Sequence, residues 1–139
     1  MSVARGPMAR VLGVGGVFFK SDDPARLRRW YAQCLGVPEQ GDGVAFAPSQ
    51  LPPGGCTVWS AFHSLSEYFS PSSRPFVFNL IVDDLDQALE QVRSGGGTLV
   101  GSVEAFPNGR FAWFVDPDGN KVELWQPCEG NGTRTQERA

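Results

Sequence analysis

Among the residues able to do chemistry, Glu123 has the most informative neighbours. It lies in residues 121–126 (KVELWQ), where charge and bulk alternate with a period of two, as in a half-buried strand. On such a strand Lys121, Glu123 and Trp125 share one face, and Val122, Leu124 and Gln126 share the other. A carboxylate beside an indole suits a pocket wall, and desolvation there makes a carboxylate a better general base. A solvated glutamate at a sheet rim fits the same letters equally well. The single histidine, His63, ends an apolar stretch and reads as a strand-end surface residue sooner than as a base. Cys34, Cys56 and Cys128 are odd in number, have no paired spacing and lack a nearby base, which argues against a disulfide scaffold, a zinc ribbon or a thiol nucleophile.

The elements that must position Glu123 can be read outward from it. Residues 116–120 (DPDGN) form a dense turn signal, so residues 112–127 predict one β-hairpin. Upstream, residues 76–82 (FVFNLIV) predict a strand, Asp83 and Asp84 an acidic helix start, and Leu85, Ala88, Leu89 and Val92 an apolar helix face. Residues 95–97 (GGG) stop that helix, and strands follow over 98–104 and 110–115. The first half has the same grammar. Residues 11–20 predict a strand, Asp22, Asp23 and Pro24 a helix start, and Leu27, Trp30, Tyr31, Cys34 and Leu35 an amphipathic face ending at Gly36. One or two short strands over 37–46, a proline-rich loop over 47–55 and a strand over 56–63 complete it. Asp22, Asp23 and Gly36 recur at a constant spacing as Asp83, Asp84 and Gly97, which reads as an internal duplication whose halves enclose a cavity.

Composition narrows the setting. With 139 residues, the chain has the size of one domain. The expected division is a disordered segment 1–10, module one over 11–63, a linker over 64–75, module two over 76–127 and a flexible tail over 128–139. A net charge of −3 without a basic stripe argues against nucleic acid. There is no signal-like h-region and no apolar run of about eighteen residues, so the expected location is cytoplasmic, with no membrane partner.

Three pieces, FFKSDDPARLRRWYAQCLGV, FNLIVDDLDQALEQVRSGGG and GRFAWFVDPDGNKVELWQP, resemble the vicinal oxygen chelate superfamily of glyoxalases, bleomycin-resistance proteins and extradiol dioxygenases. The resemblance spans about residues 11–127. It implies an α+β fold in which two βαβββ modules pair into a curved, partly open mixed β-sheet barrel. It also implies a divalent metal between the modules, with ligands on the first and last strands of each. The first-strand ligand positions fall here on Gly16 and Val77, neither of which can ligate, so no metal or other cofactor is expected. Glu123 holds the last-strand carboxylate position of module two, and its counterpart region in module one, residues 59–62, has no acid.

The implied pocket is an apolar cup of Phe18, Lys20, Trp59, Asn79 and Trp125 around Glu123, with Arg110 nearby to meet an acidic group or pair with Glu123. The expected function is metal-free binding of a small aromatic or amphipathic molecule by a homodimer, in the manner of bleomycin-resistance proteins. The alternatives are a lyase, isomerase or dioxygenase using Glu123 as base or metal ligand, and an interaction protein with a vestigial pocket.

Overall fold

The computed structural model of the chain describes residues 12, 14 and 16–128. The expectations for residues 1–10 and for the tail from 129 onward lie outside them. Among the described residues two α-helices form where local signals demand them. Helix α1, Pro24–Leu35, starts at Asp23, whose side chain accepts from the Arg26 backbone N–H at 3.2 Å, and ends at Gly36 in a left-handed conformation with φ 71°. Helix α2, Leu85–Ser94, starts in the same way at Asp84, which accepts from the Gln87 N–H at 3.0 Å. Each such cap is worth about 1 kcal/mol.

The glycine run after α2 has divided duties. Gly96, with φ 93°, makes the left-handed turn. Gly95 and Gly97 are small for want of space: a Cβ on Gly95 would lie 2.1 Å from Cys34 Sγ of α1, and one on Gly97 2.6 Å from Val92 Cγ1 of α2 and 3.3 Å from the Trp30 ring of α1. Trp30 Nε1 donates to the Gly95 carbonyl at 2.8 Å and Gln91 Nε2 to the Cys34 carbonyl at 2.7 Å, which locks the helices together.

Among the described residues four strands form one open sheet: β1 (Phe78–Ile81), β2 (Thr98–Phe106), β3 (Gly109–Val115) and β4 (Lys121–Pro127), in the order β1-β4-β3-β2. β1 runs parallel to β4 and the other pairs are antiparallel, so the sheet is mixed and the α+β expectation holds. The β3–β4 turn is organised by Asp116, whose carboxylate accepts from the backbone N–H groups of Asp118 and Asn120 and from Asn120 Nδ2, each at 2.9 Å. Tyr31 of α1 donates to the same carboxylate at 2.7 Å, which ties the first helix to the hairpin. One face of the sheet is covered by the helices. Its core is Leu85, Ala88, Val92, Ala112, Phe114, Val122 and Leu124, with Trp30, Tyr31 and Leu35 packed against it.

The first half departs from expectation. Among the described residues no strand forms in segments 16–20, 37–46 or 56–63; a single bridge joins Gln40 and Gly43. All four strands belong to the second half, so the described residues do not show two equivalent sheets. The physical reason lies in what each element needs. A helix satisfies its hydrogen bonds within itself, so α1 forms from local caps, whereas a strand is held only by a ladder partner.

Candidate functional site

Alternation along β3 and β4 sends Phe111, Trp113, Lys121, Glu123 and Trp125 to the face away from the helices. The register places Trp113 opposite Glu123, and Asn79 of β1 beside Glu123 on its other flank. Phe111, Trp113 and Trp125 are buried there, with Ile81, Val100 and Tyr68 packed on them. Tyr68 comes from the 3₁₀ turn Glu67–Phe69, in the segment 64–75 expected from sequence to be a linker. The linker is tied to the β3–β4 turn by Ser72 Oγ, which donates to the Gly119 carbonyl, and Arg74 Nη2, which donates to the Asp118 carbonyl, each at 2.7 Å.

Glu123 lies at the centre of this face and is only 5% exposed. Tyr68 Oη donates to its Oε2 at 2.5 Å, and Asn79 Nδ2 donates to its Oε1 at 2.7 Å. The Trp113 indole N–H reaches both Tyr68 Oη, at 2.7 Å, and Glu123 Oε2, at 3.1 Å. A buried carboxylate is costly unless such donors meet it. Lys121, also buried, donates from Nζ to the Tyr68 backbone carbonyl and sits 4.6 Å from the centroid of the Tyr68 ring. Burial pushes the Lys121 ammonium below its ordinary range, and the charge of Glu123 pulls it back. The Tyr68 ring stacks on Phe62, with centroids 5.4 Å apart, and stands edge-on to Trp113. The whole is a packed aromatic cluster with one carboxylate at its centre and one ammonium beside it.

Of the residues expected from sequence, the structure brings Glu123, Asn79 and Trp125 onto this face. Trp125 stacks on Phe111 with rings 5° from parallel, and its Nε1 donates to the Asn108 carbonyl at 2.9 Å. The others lie elsewhere. Phe18 is 96% exposed and Trp59 80% exposed, and Lys20 is exposed too, because the segments carrying them have no sheet to fold onto. Arg110 projects to the helix side and pairs with Asp86 at 2.9 Å, since one step of alternation separates it from Phe111. His63 is exposed, with Nδ1 accepting from the Leu65 N–H.

Three residues of the site were absent from the expected set: Tyr68, Trp113 and Lys121. Equal steps back and forward from the DPDGN turn pair Trp113 with Glu123, so its signal was present. Lys121 shares the face of Glu123 by simple alternation. Tyr68 announced itself only as an aromatic interruption of a polar linker.

The residues present do not fit the metal of the superfamily's enzymes. Among the described residues no three of His, Cys, Asp and Glu gather, and Glu123 is met by O–H and N–H donors, which repel a cation. Gly16 and Val77 have no ligating side-chain atom.

A mixed sheet with helices on one face and a carboxylate-centred aromatic face on the other defines the class of protein. The chain belongs to the glyoxalase-like domain family, whose model matches residues 16–125. TnmS3, an antibiotic-binding protein from Streptomyces sp. CB03234, is similar in fold at 21% identity and a TM-score of 0.52; the match covers 87% of this chain and all of that one. A glyoxalase/bleomycin resistance protein/dioxygenase superfamily member from Sphaerobacter thermophilus is 23% identical over 84% of this chain and 98% of that one, with a TM-score of 0.46. Hypothetical protein SA1046 from S. aureus matches at 23% identity over 38% of this chain and half the length of that one, with a TM-score of 0.35. No curated protein matches the chain. Among the described residues no helix is long and apolar enough to cross a membrane.

Proposed function

We propose that this protein binds a small aromatic or amphipathic molecule on the Glu123 face, without a metal and without chemistry, and does so as a cytoplasmic homodimer. The observation that carries the reading is the Glu123 carboxylate, buried at the centre of an aromatic face and held by Tyr68, Asn79 and Trp113. Buried charge at the base of an apolar slot supports recognition better than stability. The donors around Glu123 favour an anchor over a base, since they hold the oxygens that would take a proton. The antibiotic-binding role of TnmS3, a protein of the same fold, is in keeping with sequestration. The homodimer is supported by Val58, Trp59 and Leu65, each more than half exposed, which a second copy would cover.

Thermal unfolding with a panel of aromatic natural products, and separately with divalent metals after EDTA treatment, tests this. A compound that raises Tm in the wild type and fails to do so in Glu123→Gln is the expected result. A metal-dependent rise abolished in Glu123→Ala would overturn the metal-free reading, and a ligand indifferent to Glu123→Gln would remove Glu123 from the site.

A further inference from the structure

We infer that Tyr68 is a built-in occupant of the ligand position, and that the ligand is a phenol whose ring and hydroxyl take over the contacts Tyr68 now makes. This rests on the proposed use of the Glu123 face for binding and adds a chemical class and a gate to it. The Tyr68 side chain is recognised as a ligand would be. Its hydroxyl bridges Glu123 and Trp113, donating to one at 2.5 Å and accepting from the other at 2.7 Å. Its ring has the Phe62 ring stacked on one side, the edge-on indole of Trp113 and the ammonium of Lys121. A replacement lacking a hydroxyl that both donates and accepts, on a flat ring, takes one donor from the buried carboxylate and one acceptor from the indole N–H.

The linker is built so that this exchange is feasible. Its downstream end is fastened at Ser72 and Arg74 to the β3–β4 turn, while residues 63–65, just upstream of Tyr68, are exposed. Tyr68 therefore sits beside a fixed point, on a segment whose near end buries little. A turn of that segment withdraws the ring and breaks the contact from Lys121 Nζ to the Tyr68 carbonyl, while the ladder between the strands stays intact. Because the closed state blocks the slot, apparent affinity falls with the fraction of molecules that are closed, and weakening the Tyr68 contacts raises it.

The test uses 4-methylphenol as probe and toluene, which lacks the hydroxyl, as control, with Kd read by calorimetry on the full chain. Tyr68→Ala should bind 4-methylphenol at least tenfold tighter than the wild type, and tighter than it binds toluene; adding Glu123→Gln should erase that preference. Tyr68→Phe keeps the ring in the slot but drops the hydroxyl contacts, and should give a several-fold gain even if the alanine variant does not fold. Equal binding of 4-methylphenol by the wild type and both variants would show that Tyr68 is a wall and no gate, overturning the inference. Equal binding of 4-methylphenol and toluene by Tyr68→Ala would overturn the phenol assignment. These outcomes differ from failure of the functional reading itself, which appears in the wild type as a bound aromatic compound insensitive to Glu123→Gln.

Discussion

The sheet has two covered faces built from the same strands, and they differ in what they bury. Against the helices lie Phe114, Val122 and Leu124, all fully buried, in a core cluster of hydrocarbon alone. Under the Tyr68 linker, the neighbouring positions of β4 bury Lys121 and Glu123 among three aromatic rings. Hydrocarbon burial stabilises at about 25 cal/mol per Å², whereas burying a charge costs free energy even when it is well bonded. The helix face therefore holds the fold, and the linker face gives up stability, in keeping with the recognition proposed for it. The faces can be told apart by measuring stability and ligand affinity together on single variants.

The largest effect belongs to the helix face. Phe114→Ala removes a fully buried ring from the centre of the core, where it lies between α2 and the Trp30 ring at 6.0 Å. The expected loss is about 3–5 kcal/mol in urea unfolding, with ligand affinity per folded molecule unchanged. A loss below about 1 kcal/mol would mean that the helix face is not what holds the fold.

How much of this was legible in sequence follows the range of the interactions. Caps and turns act over a few residues, so Asp23, Asp84, Gly36 and the DPDGN turn could be read directly, and hairpin alternation fixed which face Glu123 takes. The ladder partners of 16–20 and 56–63 depend on distant backbone, and there the strand expectations failed together with the placement of Phe18, Lys20 and Trp59. Arg110 was misplaced by a single alternation step, counted correctly for Glu123 but not carried across the turn. Tyr68 is 55 residues from Glu123 in the chain, and no periodicity in a polar linker announces such a contact.

A middle-sized effect is expected where α1 meets the hairpin. Burial first, and then the charge of Asp116, push the Tyr31 hydroxyl well above its ordinary pKa of 10.0. The folded chain keeps this proton above pH 10 while the unfolded chain releases it, so stability from Tyr31 is present below pH 10 and falls as pH rises beyond it. Tyr31→Phe should lose about 1.5–3 kcal/mol at neutral pH, the value of a hydrogen bond to a carboxylate, and show a shallower alkaline decline. Lys121 works in the opposite sense. Its lowered pKa means the unfolded chain binds more protons just below pH 10.5, so its contribution rises with pH there. The difference between Tyr31→Phe and wild type, followed from pH 7 to 11, isolates Tyr31 from Lys121. A parallel decline in both proteins would detach Tyr31 from Asp116. Ligand affinity should not move, because this contact lies on the helix side.

The smallest effect, and the sharpest test of the division between faces, is expected at Arg110. Its guanidinium meets Asp86 in solvent, at 2.9 and 3.3 Å, and the hydrogen bond from Arg110, followed by its charge, holds the Asp86 carboxyl below its ordinary range. A lowered carboxyl contributes stability above its unfolded pKa and loses it as pH falls through the folded value. Exposed pairs of this kind contribute little, because water and salt screen them. Arg110→Ala should leave Tm at high salt unchanged while the Asp86 carboxyl, followed by NMR titration, moves back up toward 3.8. Arg110 is one residue from Phe111, whose ring belongs to the aromatic face, yet its side chain points to the other. If affinity for an acidic aromatic ligand fell in Arg110→Ala, that one-residue alternation would no longer separate the recognising surface from the supporting one. Unchanged affinity, with a shifted Asp86, places Arg110 on the supporting side and leaves Glu123, Tyr68 and Lys121 as the charged and hydroxyl groups of the slot.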